Sequence, residues 1–343
     1  MADFAPGTTG TDEVLFAVDG SLGRVLLNRP RAINALTRGM VVAMQVQLAA
    51  WADDDAVAAV SLEGAGERGF CAGGDVRAVR EAHLAGTSGA VDFWADEYAL
   101  DAQIAEYPKP VVALMDGIVM GGGLGLAMFA TARWATERSQ IAMPETIIGF
   151  FPDVAATYLL SRAPGEIGTH LALTGATVSG ADAVHVGLAD AVVERACLPQ
   201  LIAAIAAGGP VEPVPAGATT KGGDLASSHG WIDECYAGDD AAVILARLRG
   251  HADPAARTAA EEISLRSPLS VAVALAALRR AATAGSVREV LEADTRIARG
   301  LLARPDFVEG VRAQLVDKDR QPRWEHASVD DVPRTQVLSV LGG

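Results

Sequence analysis

VVALMDGIVMGGGLGLAMFATA, residues 111–132, decides how the chain is read. The run is apolar enough to suggest a membrane span, but Asp116 and five glycines interrupt it, and hydrocarbon does not suit such a segment. It reads instead as a buried strand, a tight loop at the triplet Gly121, Gly122 and Gly123, and a buried helix through about residue 132.

Outward from that stretch the pattern repeats. VLFAV and RVLLN, within residues 13–28, are separated by DGSLG, which is hairpin chemistry. Residues 38–52 predict an apolar helix, and AVAAVSLEGAG, residues 56–66, a buried strand ending in glycines. ARWATERSQIAM adds further strand and VAATYLLSRA a helix. Strands alternating with helices predict an α/β fold with buried strands. Beyond residue 195 the character changes: AGGPVEPVPAGATTKGG, residues 207–223, has the composition of a surface connection, and the chain beyond it reads as helical. Ser267 before Pro268, and Ser286 with Glu289, are helix-start signals. The expected organisation is a core over 10–206, a linker over 207–223 and a helical C-terminal region over 224–343.

Half of the 343 residues are apolar and 21% are charged, so the chain should fold compactly. A formal charge of −15 opposes nucleic-acid or anionic-membrane binding. Cys71, Cys197 and Cys235 have no CxxC spacing, which predicts a reducing compartment and no structural metal. The first residues, MADFAPGTTGTDEV, lack the features of a secretory or transit segment, and the expected location is cytoplasmic. The six histidines form no HxxxH or HxH pattern, and no GxSxG is present. Cys71 reads as a small buried residue.

Two loops, FCAGGD at 70–75 and MGGGLGL at 120–126, place glycines where a strand gives way to a helix. Each leaves backbone N–H groups free, and together they could aim one donor apiece at a single carbonyl oxygen. The bland alternative is that the glycines only permit tight turns and close packing. Downstream, IAMPETIIGFFPDVAATYLL, residues 141–160, carries Glu145 and Asp153. Amide donors with carboxylates are the inventory of thioester hydrolysis. Asp153 also fits the local pattern of a helix N-cap, Glu145 that of a first-turn acid, and Glu97 that of a solvated surface charge.

RVLLNRPRAINAL (24–36), FCAGGD, PKPVVALMDGIVMGGGLGL and MPETIIGFFPDVAATYLL together resemble the crotonase (enoyl-CoA hydratase/isomerase) superfamily. More narrowly they are similar to its 3-hydroxyisobutyryl-CoA hydrolase branch, as is DFVEGVRAQLVDKDRQPRW at 306–324, so the resemblance covers nearly the whole chain. It implies a crotonase-like spiral of ββα units that binds an acyl-CoA, with the thioester carbonyl held by the amides of Ala72 and Gly122. Gly73, Gly74, Asp75 and Gly121 would lie beside the substrate, and Arg29 and Arg31 would neighbour phosphates or stand as solvated surface arginines.

Water-adding members of the superfamily carry a glutamate where this chain has Gly125, a departure that disfavours hydration. The hydrolase branch resembles this chain in its Glu145 and Asp153. There Glu145 would attack the carbonyl or activate water, Asp153 would contact the substrate hydroxyl or manage a proton, and Glu97, within VDFWADEYALD, would touch substrate. The resemblance implies conversion of 3-hydroxyisobutyryl-CoA and water into 3-hydroxyisobutyrate and CoA, as in valine breakdown. No cofactor is expected, since coenzyme A belongs to the substrate. Related folds form trimers or hexamers, so a homo-oligomer is one option. The rivals are an enoyl-CoA hydratase or isomerase, and a catalytically silent acyl-CoA-binding protein.

Overall fold

The computed structural model describes residues 3–342. They fall into two compact units: one runs up to Asp75 and takes in Ala95–Ile141 and Val178–Gly223, and the other takes Val76–Trp94, Ala142–Thr177 and the chain from Asp224 onward. This is not the sequential division into 10–206, 207–223 and 224–343, because 76–94 and 142–177 group with the C-terminal residues. The supposed linker 207–223 belongs to the first unit, where Thr219 and Val192 exchange backbone hydrogen bonds of 2.9 and 2.8 Å.

The first unit carries the strands β1 (Ala5–Pro6), β2 (Val14–Asp19), β3 (Leu22–Leu27), β4 (Ala59–Gly64), β5 (Gly69–Cys71), β6 (Val111–Met115), β7 (Ile118–Met120), β8 (Ala132–Thr136), β9 (Gln140–Ala142), β10 (Val178–Ser179) and β11 (Ala191–Val193). A seven-stranded sheet has the order β1-β2-β3-β4-β6-β8-β11, and a four-stranded sheet the order β10-β9-β7-β5. Each of the pairs β4/β5, β6/β7 and β8/β9 therefore gives one strand to each sheet before a helical segment, Val76–Leu84, Gly122–Met128 or Glu145–Ile148. That is the ββα spiral expected.

The expected hairpin forms, with β2 and β3 antiparallel from Val14 opposite Leu27 to Asp19 opposite Leu22. The helix over 38–52 is Arg38–Ala52, and its Trp51 meets Phe16 edge-on at 6.0 Å. The single strand expected ahead of the glycine triplet is two, β6 and β7. At Gly117 the backbone is left-handed (φ +66°), and a Cβ there would lie 2.7 Å from the Arg68 carbonyl oxygen, so the chain turns and changes sheets. ARWATERSQIAM splits likewise into β8 and β9, with the Ser139 hydroxyl accepting the Thr136 N–H at 2.7 Å in the turn. The glycine-loop helix ends at Met128, short of 132.

All five residues of β6 are buried, as a parallel strand covered on both faces requires. One face, with Leu22, Ala59, Val112, Leu114, Ala132, Trp134 and Val193, packs against Ile202 and Ile205 of the helix Leu198–Ala206. Each large aliphatic side chain in that layer contributes roughly 1.5–3 kcal/mol.

The second unit is helical. Ser267 caps Pro268–Ala281 by accepting the Ser270 N–H at 3.1 Å, and Ser286 caps Val287–Leu302 by accepting the Glu289 N–H at 3.2 Å. The Glu289 carboxylate takes the Gly285 N–H at 2.9 Å, so the box closes one residue early. Trp94 stacks on Phe150 with ring centres 4.7 Å apart, and Phe307 meets both rings at 5.5–5.6 Å. Among the described residues no helix is long and apolar enough to cross a membrane.

Candidate active site

The two glycine loops of the first unit meet. A Cβ on Gly73, whose φ is +100°, would lie 3.4 Å from the Gly122 nitrogen and 3.5 Å from the Gly121 Cα. A Cβ on Gly122 would lie 3.5 Å from the Gly74 nitrogen. The left-handed φ at Gly73 is one that side chains rarely adopt. Gly121 has φ 51° and ψ −129°, and as residue before the helix Gly122–Met128 it accepts the N–H groups of Leu124 and Gly125 at 2.8 and 3.1 Å. Gly122, in the first turn, has no carbonyl one turn behind to bond.

The amide expected on the other loop is bonded within the protein. Ala72 donates its N–H to the Ile33 carbonyl at 2.9 Å and is occupied. Gly73 donates to the Cys71 sulfur at 3.4 Å, and Asp75 to the Leu36 carbonyl at 2.8 Å. The Gly74 N–H has no acceptor among the described residues, and it is the amide beside Gly122. Of the amides on FCAGGD, the one left open beside Gly122 is thus that of Gly74. Gly123 follows the bland reading, since a Cβ there would lie 2.6 Å from the Cys71 Cβ.

RVLLNRPRAINAL builds this loop from beneath. Ile33 and Asn34 are both left-handed, at φ 50° and 55°, and this turn carries the Ile33 carbonyl that binds Ala72. The buried Asn34 amide donates to the carbonyls of Ala65, Gly69 and Phe70 at 3.0, 3.1 and 3.0 Å, while its oxygen accepts the Arg29 N–H at 2.9 Å. Sequence reasoning missed Asn34; a buried-type role for an asparagine inside an apolar motif was the only signal. Arg29 holds Asp75 at 3.0 Å, Glu13 at 3.1 Å and the Ala35 carbonyl at 2.5 Å, so Arg29 and Asp75 brace the loop. Arg31 is exposed.

Glu97, in the helix Gly89–Ala105, is not a surface charge: it is 2% exposed. A Cβ on Gly122 would run into its Oε1, which places this carboxylate against the glycine loop. Cys71 is fully buried, and desolvation pushes its thiol up to about 12, so it is inert.

Glu145 and Asp153 belong to the second unit. Glu145 opens the 3-10 turn Glu145–Ile148 but is only 7% exposed, and its Oε2 has no hydrogen-bond partner among the described residues. Burial, with the charge of Asp153 adding to it, raises its carboxyl well above the usual range against the pull of its own backbone N–H. A first-turn surface acid would show neither property. Asp153 does not cap the helix Ala156–Leu160: the residue before that helix is Ala155, and no side chain caps it. Asp153 is itself 5% exposed.

DFVEGV secures this carboxylate loop. A Cβ on Gly149 or Gly310 would collide with the backbone of Asp306 or Ile148, so the helix Pro305–Val311 lies directly on the loop. Buried Asp306 accepts from the Ser267 hydroxyl at 2.6 Å, and the Ser267 N–H reaches the Thr146 carbonyl at 3.3 Å. Among the described residues no group of three or more His, Cys, Asp or Glu side chains is placed to hold a metal ion.

A family model described as enoyl-CoA hydratase/isomerase matches residues 22–341. The rat protein named 3-hydroxyisobutyryl-CoA hydrolase, mitochondrial, is 39% identical over 94% of this chain and 87% of its own length. The chicken protein of the same name is 36% identical over 95% and 87%. Among solved structures, one described as a carnitinyl-CoA dehydratase from Mycobacterium thermoresistibile superposes with a TM-score of 0.92 at 47% identity, covering 96% of both chains. These relatives overturn the cytoplasmic placement expected from the sequence, because the rat and chicken proteins are named as mitochondrial. Unpaired thiols indicate reducing conditions, which more than one compartment provides, and so could not select the cytoplasm.

Proposed function

Because the chain belongs to the enoyl-CoA hydratase/isomerase family, we propose that it is an acyl-CoA thioester hydrolase that converts 3-hydroxyisobutyryl-CoA and water into 3-hydroxyisobutyrate and CoA, a step of valine breakdown. The similarity to the rat and chicken hydrolases over nearly the whole chain supports the reaction class. The observation that carries the mechanism is Glu145, a buried carboxylate whose Oε2 has no hydrogen-bond partner among the described residues. A group so placed is costly to the fold, and such groups concentrate where chemistry uses them.

In this mechanism the N–H groups of Gly74 and Gly122 polarise the thioester carbonyl and take up the negative charge that develops on its oxygen. Glu145 acts on the carbonyl carbon, either by activating water or by forming an acyl-enzyme anhydride that water then opens. The C–S bond breaks, a C–O bond replaces it, and the proton from water ends on the departing thiolate. Asp153 handles the substrate hydroxyl or the proton, and Glu97, beside Gly122, contacts the acyl group. This chemistry calls for no metal or redox group, since coenzyme A arrives with the substrate.

The second reading is hydration or dehydration, favoured by the similarity to the dehydratase structure. Gly125 lies within the buried helix Gly122–Met128 and offers no carboxylate there, so this reading needs a second acid from elsewhere, for which Glu97 beside Gly122 is a candidate. A silent acyl-CoA-binding scaffold gains nothing from a desolvated Glu145 and is disfavoured on that ground. The test is product analysis with 3-hydroxyisobutyryl-CoA and crotonyl-CoA. The hydrolase reading expects free thiol and 3-hydroxyisobutyrate from the first and no loss of enoyl-thioester absorbance from the second. Bleaching of crotonyl-CoA without thiol release would establish hydration in its place.

A further inference from the structure

Asp153 is followed by two residues held in the left-handed region, Val154 at φ 51° and Ala155 at φ 57°, and both are fully buried. For a β-branched residue this conformation is a genuine outlier, and it persists only where the surroundings over-determine it. Two hydrogen bonds do so here. The Ala156 N–H donates to the Asp153 carbonyl at 2.8 Å, closing the turn, and the Ala155 N–H donates to Asp294 Oδ2 at 2.8 Å. Asp294 is 1% exposed and lies on the buried face of Val287–Leu302, whose other buried positions, among them Val290, Leu291 and Ile297, are apolar. An acid in that company is expensive unless something requires its oxygen.

We propose that Asp294 is a positioning residue for Asp153: by accepting the Ala155 N–H it pins the left-handed Val154–Ala155 turn and so sets the direction of the Asp153 carboxylate. This rests on the hydrolase reading, in which Asp153 works on the substrate. Burial lifts the Asp294 carboxyl well above the usual range, the Ala155 N–H opposes the lift and the Asp153 charge adds to it. An asparagine offers the same acceptor as the protonated acid. Asp294 also borders a cavity of about 240 Å³ with Thr157, so substitutions can be housed without overpacking.

The experiment compares wild type, Asp294→Asn, Asp294→Ala and the double variant Asp294→Ala with Ala155→Gly, using thiol release from 3-hydroxyisobutyryl-CoA and hydrogen exchange at residues 153–157. Wild-type turnover tests the parent reading; exchange tests the pin whether or not that reading holds. Asp294→Asn is expected to keep kcat within about threefold, whereas Asp294→Ala, still folded, should lose about 30- to 100-fold in kcat with KM little changed. Glycine at 155 adopts the turn without help and should restore at least about tenfold to the Ala variant. Exchange of the Ala155 amide should quicken in Asp294→Ala and stay slow in Asp294→Asn. Unchanged exchange in the Ala variant, equal damage from Asn and Ala, or no recovery with glycine would each overturn the proposal.

Discussion

In the first unit the groups proposed to meet the substrate carbonyl are backbone amides, those of Gly74 and Gly122, and the neighbouring side chains serve to place them. Asn34 stitches three carbonyls beneath the loop, Arg29 braces Asp75, and Ile33 occupies the amide of Ala72. In the second unit the proposed reacting groups are side chains, Glu145 and Asp153, held where water is scarce by helices that begin far along the chain. Amides fixed by covalent backbone carry no charge to desolvate, so their arrangement is compatible with stability. Buried carboxylates do carry one, so Glu145 should show a conflict between function and stability that the amides of Gly74 and Gly122 do not.

The largest effect should separate the units on that point. Glu145→Gln is expected to lower kcat about 10³-fold or more while raising Tm at neutral pH, read by thiol release and calorimetry. The sign follows from the raised carboxyl. The folded state favours the protonated acid, so that stabilisation is complete below the unfolded-state value and is lost as pH rises toward the folded one. The gain in Tm should therefore vanish near pH 4. A Gln variant less stable than wild type at neutral pH would erase the contrast.

Gly122→Ala probes the other side. Its Cβ would run into the Glu97 carboxylate packed against the loop, and a donor displaced by that clash is expected to cost about 10²- to 10³-fold in kcat. Here Tm should fall with activity. A milder effect sharpens the carboxylate side: with Glu145 needed in its ionised form, kcat/KM should decline with acid at a pH above the ordinary carboxylate range. Asp153→Asn removes one of the causes and should move that limb to lower pH, whatever it does to the maximum. A limb that stays in place would mean the two acids do not sense each other. The smallest effect is none: alkylation at pH 8 should modify exposed Cys197 but spare buried Cys71, leaving activity intact.

Much of the fold could be read because its signals are local. DGSLG marks the β2/β3 hairpin, and Ser267 with Pro268 marks the start of a helix. The division of 111–120 into two strands in different sheets was hidden, because an apolar run does not show where it changes partners and only Asp116–Gly117 hinted at the turn. The site was legible as loops and acids, but which amide on FCAGGD is available depended on Ile33, reached through a left-handed turn some forty residues earlier in the chain (Ile33 to Ala72). Asp153 resembled a helix cap because a Pro-Asp pair before an apolar run usually is one; the two left-handed residues after it break that register. Asp294 gave no signal, since in sequence an acid on an amphipathic helix looks like any solvated charge.

The grip of two amides on one carbonyl can be observed directly. With 3-hydroxyisobutyryl-CoA carrying ¹³C at the thioester carbonyl and bound to the slow Glu145→Gln variant, isotope-edited infrared spectroscopy reads the C=O stretch. A shift to lower frequency relative to the free ester, lost when Gly122→Ala is added, is the predicted result. A bound ester vibrating at its solution frequency in both variants would contradict the account.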